Sequence, residues 1–125
     1  MSKTVDLELK KAFAELQQKM METTQKVKLA DMQIESLKRA KQRAELTTHE
    51  IKALPENTTT YESVGRMFVL TPTPTVLENL STKSATCSEK IKTLESNKTF
   101  LEKSMKESEN NLREMVQQRK DKQDK

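Results

Sequence analysis

The sequence is poor in nearly everything from which a globular core or a catalytic site is built. Its 125 residues include one glycine, three prolines, one cysteine, one histidine, no tryptophan, one tyrosine and three phenylalanines. Aromatic residues make up 3% of the chain, and hydrophobic residues of all kinds 33%. So little apolar material argues against an ordinary globular core, and so few turn residues argue against many short elements. One cysteine cannot form an internal disulfide, and Met1-Ser2-Lys3-Thr4 has none of the apolar character of a secretion signal. An intracellular, reducing compartment is therefore expected. No stretch approaches the length of a membrane span, so no membrane partner is expected. His49 has no second metal ligand at helical spacing and reads as a solvent-exposed residue near a helix end. With no glycine-rich phosphate loop, paired catalytic carboxylates, nucleophile–base pair or metal cluster, neither an enzyme nor a cofactor is expected.

Charge is what the chain has in abundance. Charged residues make up 34% of it, with a net charge of +4 spread along both halves. A nucleic-acid binder would concentrate that excess on one face, so no nucleic-acid partner is expected. The basic run Lys38-Arg39-Ala40-Lys41-Gln42-Arg43 and the mixed tail Arg119–Lys125 read as solvated surface. With one-third of the residues charged, the choice lies between disorder and long helices. Periodicity decides it.

From Leu9 the positions at alternating four-three spacing are Leu9, Phe13, Leu16, Met20, Thr23, Val27, Ala30, Ile34, Leu37, Lys41, Ala44, Thr48 and Ile51. All but Thr23, Lys41 and Thr48 are apolar, which is a coiled-coil seam sustained for about six heptads. The predicted helix covers residues 5–52, roughly 70 Å at 1.5 Å per residue. Pro55 sets its latest stop. Thr47-Thr48-His49-Glu50 has the form of a capping box, which marks a possible kink or restart. A second seam runs Leu77, Leu80, Ser84, Cys87, Ile91, Leu94, Lys98, Leu101, Met105, Ser108, Leu112 and Met115, predicting a helix over 76–122. Thr75 and Glu78 form a second capping box ahead of it. Folded back antiparallel, the seams match when paired residue numbers sum to 128. Phe13 then meets Met115, Leu16 meets Leu112 and Ile34 meets Leu94, with weak layers at Ala30–Lys98, Lys41–Cys87 and Ala44–Ser84. Cys87 reads as a small core residue.

Between the helices, residues 56–75 carry strand signals. Tyr61, Val64, Phe68 and Val69 are strand formers, Met67–Leu70 is the longest apolar run, and Gly65 supplies the positive φ of a tight turn. The prediction is a hairpin turning near Val64-Gly65-Arg66, flanked by connectors that include Thr71-Pro72-Thr73-Pro74-Thr75. An isolated hairpin is marginal in water, and this chain has no third strand for it. The missing strands must come from other chains, which makes Tyr61, Val64, Gly65, Met67, Phe68, Val69 and Leu70 the candidate assembly residues. Some apolar residues lie off the seams. Leu46, Leu54 and Val76 fall where they would seal the helices against the hairpin. Val5, Leu7, Ala12, Met21 and Val116 fall at the free helix ends, where nothing in the chain covers them; they read either as ordinary scattered surface residues or as an apolar tip that contacts something else.

Helix, Tyr61-Glu62-Ser63-Val64-Gly65-Arg66-Met67-Phe68-Val69 hairpin, helix: this order resembles a β-type prefoldin subunit. Val5–Phe13 and Lys26–Asp31 share in the likeness, which covers most of residues 1–125 as one domain. The resemblance implies a mainly α fold, a long antiparallel coiled-coil hairpin whose central β-hairpin joins an intersubunit β-barrel. It implies a heterohexamer of α- and β-type subunits that captures unfolded polypeptides, actin and tubulin among them, without nucleotide. It further implies delivery to the cytosolic chaperonin, and hence the cytoplasm as the compartment. Capture would fall to the helix tips, here Val5, Leu7, Leu9, Ala12, Phe13, Met115 and Val116. The competing reading is a coiled-coil scaffold or tether that binds partner helices through its seam. A tether has no need of a hairpin that demands foreign strands.

Overall fold

A computed structural model describes the backbone of residues 2–123 and the side chains of residues 7–122. Helix α1 spans Ser2–Lys52, strand β1 Tyr61–Val64, strand β2 Met67–Leu70 and helix α2 Thr73–Gln123. The fold is mainly helical, two long helices joined by one small antiparallel β-hairpin. The chain clusters into two compact units, Met1–Asp31 with Glu95–Lys125, and Met32–Leu94.

In the first unit the two helix segments run antiparallel, fixed by bonds between side chains far apart in sequence. Arg119 Nη2 donates to Glu8 Oε2 at 3.0 Å, and Lys19 Nζ donates to Ser108 Oγ at 2.7 Å. Lys98 Nζ lies 2.7 Å from Asp31 Oδ1. Each pair falls one residue to either side of the alignment read from the seams. Lys98, a weak seam position by sequence, places its ammonium at Asp31, and Ala30, its layer partner in the seam alignment, is buried. Its pKa is raised, first by the hydrogen bond to Asp31, then by the Asp31, Glu102 and Glu95 charges.

The second unit holds most of the buried residues: Ile34, Ala44, Val76, Cys87 and Thr71. Two of these, Ala44 and Cys87, belong to layers the sequence ranks as weak. Small residues let helices approach closely, so a layer with little apolar bulk is here among the best covered. Thr47 and Thr48 do not restart the helix. Their hydroxyls donate back to Arg43 O and Ala44 O, both at 2.8 Å, and α1 continues to Lys52. It ends in a tightened turn, Ala53 N–H donating to Glu50 O at 3.3 Å and Leu54 N–H to Ile51 O at 3.1 Å, just before Pro55.

Helix α2 begins at Thr73, ahead of the expected residue 76. Val76 N–H donates to Pro72 O at 3.1 Å, which puts Pro74 in the first turn. A proline there costs no hydrogen bond, because the first N–H groups of a helix have no partner within it. The extended connector therefore shrinks to Thr71 and Pro72, and Thr75 lies inside the helix instead of capping it.

The Lys98–Asp31 pair makes the first unit's stability depend on alkaline pH. A lysine whose pKa is higher folded than unfolded stabilises the fold fully below its ordinary value near 10.5, and loses that contribution as pH rises through the raised value. Asp31→Asn in the assembled protein is expected to lower the melting temperature slightly at pH 7–9, with the difference closing above pH 10.5. Thermal melts of both proteins across that range check it, and a difference that stays constant to pH 11.5 contradicts it.

Candidate assembly strand and helix-end grooves

The hairpin pairs Tyr61 with Leu70, Glu62 with Val69, Ser63 with Phe68 and Val64 with Met67. Gly65 and Arg66 make a two-residue loop in which Gly65 alone has positive φ, +62°. Glycine in the first of two central positions is the type II′ pattern, whose twist suits the strands it joins. At the other end threonines close the base. Thr71 N–H donates to Thr60 O at 3.0 Å, and Thr60 Oγ1 donates to Thr71 O at 2.6 Å. Thr71 Oγ1 donates to Val69 O at 3.0 Å. Asn79 Nδ2 of α2 donates to Glu62 Oε1 at 2.9 Å, which turns the Glu62 face of the hairpin toward that helix.

Alternation then puts Tyr61, Ser63, Phe68 and Leu70 on the face away from Asn79. Phe68 is 75% exposed there, and Tyr61 and Leu70 are nearly as open. Val64, Met67 and Val69 are exposed too, so every residue of β2 is accessible. Each strand has one neighbour and one open edge. Fully burying a side chain such as Phe68 contributes about 1.5–3 kcal/mol, little of which this chain gains by itself. All seven expected assembly residues thus lie together on one uncovered hairpin. Of the three residues expected to seal it, Val76 is buried, whereas Leu46 and Leu54 are exposed.

The helix-end residues of the first unit divide between two shallow grooves on opposite sides of the seam. One, about 270 Å³, is lined by Ala12, Leu16, Lys19, Asn111, Leu112 and Met115. The other, about 540 Å³, is lined by Phe13, Leu16, Glu109, Leu112, Arg113 and Val116. Buried Leu112 and half-buried Leu16 form a floor common to both. The structure thus joins Ala12 with Met115 and Phe13 with Val116. Leu9 is half-buried on the seam, Leu7 is 66% exposed, and the side chain of Val5 lies outside the described residues. Sequence reasoning missed Lys19 as a groove wall, because the seam reading passes over the positions that flank it. It also passed over Leu29, Met32 and Phe100, all exposed on outer helix faces.

Among the described residues no group of three or more metal-ligating side chains occurs, and no helix is long and apolar enough to cross a membrane. The profile of the Prefoldin subunit family matches residues 14–119. The chain belongs to the prefoldin subunit family. It is 55% identical over 119 residues to prefoldin subunit 1 of Danio rerio, covering 95% of this chain and 98% of that protein. The same protein of Homo sapiens is 53% identical over an equal span, and that of Arabidopsis thaliana 44% identical over 108 residues, 86% of this chain and 84% of that protein. A crystal structure of the prefoldin beta subunit from Thermococcus strain KS-1 superposes with a TM-score of 0.71 at 20% identity, covering 86% of this chain and 90% of that one. That likeness shows the fold. Membership makes the chain a component of a prefoldin chaperone that assembles with other prefoldin subunits, and not an enzyme.

The turn offers a direct check on the hairpin. A Cβ on Gly65 would meet nothing within 4 Å, so any penalty comes from the positive φ and not from crowding. Gly65→Ala should already impair incorporation into the complex, and Gly65→Val should do so more. The backbone cost is about 1–2 kcal/mol. Circular dichroism of each variant should show near-normal helix content, while size-exclusion chromatography with the partner subunits shows loss of complex. Normal incorporation of both variants would place the critical turn elsewhere.

Proposed function

We propose that this prefoldin subunit acts as an ATP-independent holdase. In this reading its hairpin completes an intersubunit β-barrel, and its helix ends hold unfolded polypeptides for delivery to the cytosolic chaperonin. Actin and tubulin chains are the expected clients, and the cytoplasm the expected compartment. The observation that carries the reading is the apolar surface gathered at the helix ends. Ala12, Leu16 and Met115 line one groove and Phe13, Leu16 and Val116 the other, while Leu7 stands exposed nearby in sequence.

Shallow open grooves suit a client with no fixed shape. An unfolded chain offers apolar side chains in no set order, so a deep pocket would fit few of them. Each apolar side chain covered contributes about 1–2 kcal/mol, too little for capture alone. Several subunits that engage one client raise its avidity without any tight single site. Release then needs no nucleotide, because each contact is weak. The tether reading is weaker, since it gives no use to a hairpin whose apolar residues are all exposed.

Leu7→Ser with Val116→Ser tests the capture reading. Both residues lie off the seam, so the hexamer with its partner subunits should assemble and melt as wild type does. Suppression of aggregation of a chemically unfolded client should fall, more steeply when neighbouring subunits carry equivalent changes. ATP should alter neither result. Undiminished protection by the variant, or a reproducible ATP effect, counts against the proposal.

A further inference from the structure

Thr71-Pro72-Thr73-Pro74-Thr75 joins the hairpin to α2, and neither strand pairing nor the seam makes use of its repeated dipeptide. Of the three prolines in the sequence, Pro55 follows Leu54, so Thr71-Pro72 and Thr73-Pro74 are the two hydroxyl–proline pairs. A threonine followed by proline is the minimal recognition element of a proline-directed protein kinase, since the ring packs as an apolar group and brings no N–H that needs an acceptor. As sequence the two pairs are equivalent. The fold makes them different.

Thr71 is 8% exposed and bonded through every polar group it has. Its N–H donates to Thr60 O at 3.0 Å, its Oγ1 donates to Val69 O at 3.0 Å, and its carbonyl accepts from Thr60 Oγ1 at 2.6 Å. Reaching that hydroxyl means opening the base of the hairpin. Thr75 is exposed but precedes Val76, so it lacks the proline. Thr73 alone meets both requirements. It is half-buried at the first position of α2, and its Oγ1 lies 3.5 Å from Thr60 Oγ1. The proton of Thr60 is committed to Thr71 O, so Thr73 is the donor in that long contact. A residue before proline disfavours the α conformation, and Pro74 brings no N–H, so the turn that holds Thr73 opens at small cost. Beside it lies a groove of about 390 Å³, lined by Thr58, Thr59, Thr60, Thr71 and Thr73 with one leucine and one proline, all uncharged. A phosphate on Thr73 would meet hydroxyls there and no lining carboxylate. The first-turn N–H groups of Thr73 and Thr75 have no acceptor within the helix, and the positive helix end favours a dianion.

We propose that Thr73 is a phosphorylation site for a proline-directed serine/threonine kinase, that the fold shields Thr71 from the same enzyme, and that the threonine-lined groove accommodates the product. In the transfer, Thr73 Oγ1 bonds to the γ-phosphorus of kinase-bound Mg·ATP as the bond from that phosphorus to the β–γ bridging oxygen breaks. ADP leaves, and the hydroxyl proton passes to the catalytic carboxylate of the kinase. The proposal does not rest on client capture at the helix ends.

The test uses the complete complex, co-expressed with its partner subunits, and a synthetic peptide of residues 67–83 as the unfolded reference. A mitogen-activated kinase and a cyclin-dependent kinase are each supplied with Mg·ATP, and fragment-ion mass spectrometry localises the phosphate. The peptide should be modified at Thr71 and Thr73 at comparable rates. In the complex Thr73 should be modified and Thr71 about tenfold more slowly or less, because only local opening exposes it. Thr73→Ala and Pro74→Ala should each abolish phosphate at this position with the elution volume of the complex unchanged, and Thr73→Ser should retain it. The phosphorylated complex should elute as the unmodified one does. The proposal is overturned if neither kinase modifies the peptide, if Thr73 of the complex stays unmodified, or if Thr71 there is modified as fast. A peptide modified at Thr73 alone also overturns it, because the kinase and not the fold would then choose between the pairs. Dissociation on phosphorylation overturns it too, because the groove would then fail to hold the product.

Discussion

Two strands cannot hide four apolar residues. Met67, Phe68, Val69 and Leu70 alternate across both faces of β2, and all are exposed, as are Tyr61 and Val64 beside them. The local devices that make the hairpin a defined pair are complete: glycine at the II′ turn, threonine bonds at the base, and Asn79 reaching Glu62. What is missing is a surface to cover it. Helix packing within the chain stops at Val76 and Thr71, which are buried at the base of the strands. On the proposed reading the stability of this segment is linked to its partners by mass action, and the chain and its assembly form one folding problem.

The helices answer to a looser constraint. Among the described residues the buried hydrophobics are Ala30, Ile34, Ala44, Val76, Cys87 and Leu112, most of them small, and no large side chain is fully buried. A two-helix seam covers each residue from one side only. Alanine and cysteine can be covered by a single neighbouring helix, whereas leucine and phenylalanine retain an exposed flank. The same geometry that leaves the seam thin also leaves grooves along it, with Leu16 and Leu112 as a floor reached from both sides. On the proposed reading, incomplete packing at the helix ends is what makes apolar surface available to a client.

Much of this is legible in the residues. The seams, the position of the hairpin and the helix alignment follow from period, turn chemistry and arithmetic, because those signals are local or nearly so. Gly65 is the plainest case, since one glycine in a strand-rich stretch has few other uses. Sequence reasoning errs where a residue has two roles open to it. Pro74 reads as part of a stop and is part of a start, because proline is excluded from helix interiors but not from first turns. Thr47 and Thr48 read as a cap, yet in a helix held by tertiary contacts their hydroxyls bond backward. Lys98 reads as a fault in the seam until Asp31 gives its charge an exit. Ala44 and Cys87 rank as weak when hydrophobic volume is the measure, because close approach is not visible in a sequence.

Residues off the seam are the hardest to read, for a physical reason. A heptad pattern says what faces the partner helix and nothing about why another position is apolar. Leu46 and Phe100 are both exposed and equally silent by period alone. They differ in surroundings. Leu46 stands without a facing apolar residue at its level. Phe100 has Leu29 across the seam, and neither has a carboxylate at three- or four-residue spacing in their unit. A lone exposed leucine is ordinary surface. A facing pair at one level combines two features, exposure and level, that a heptad pattern alone does not supply.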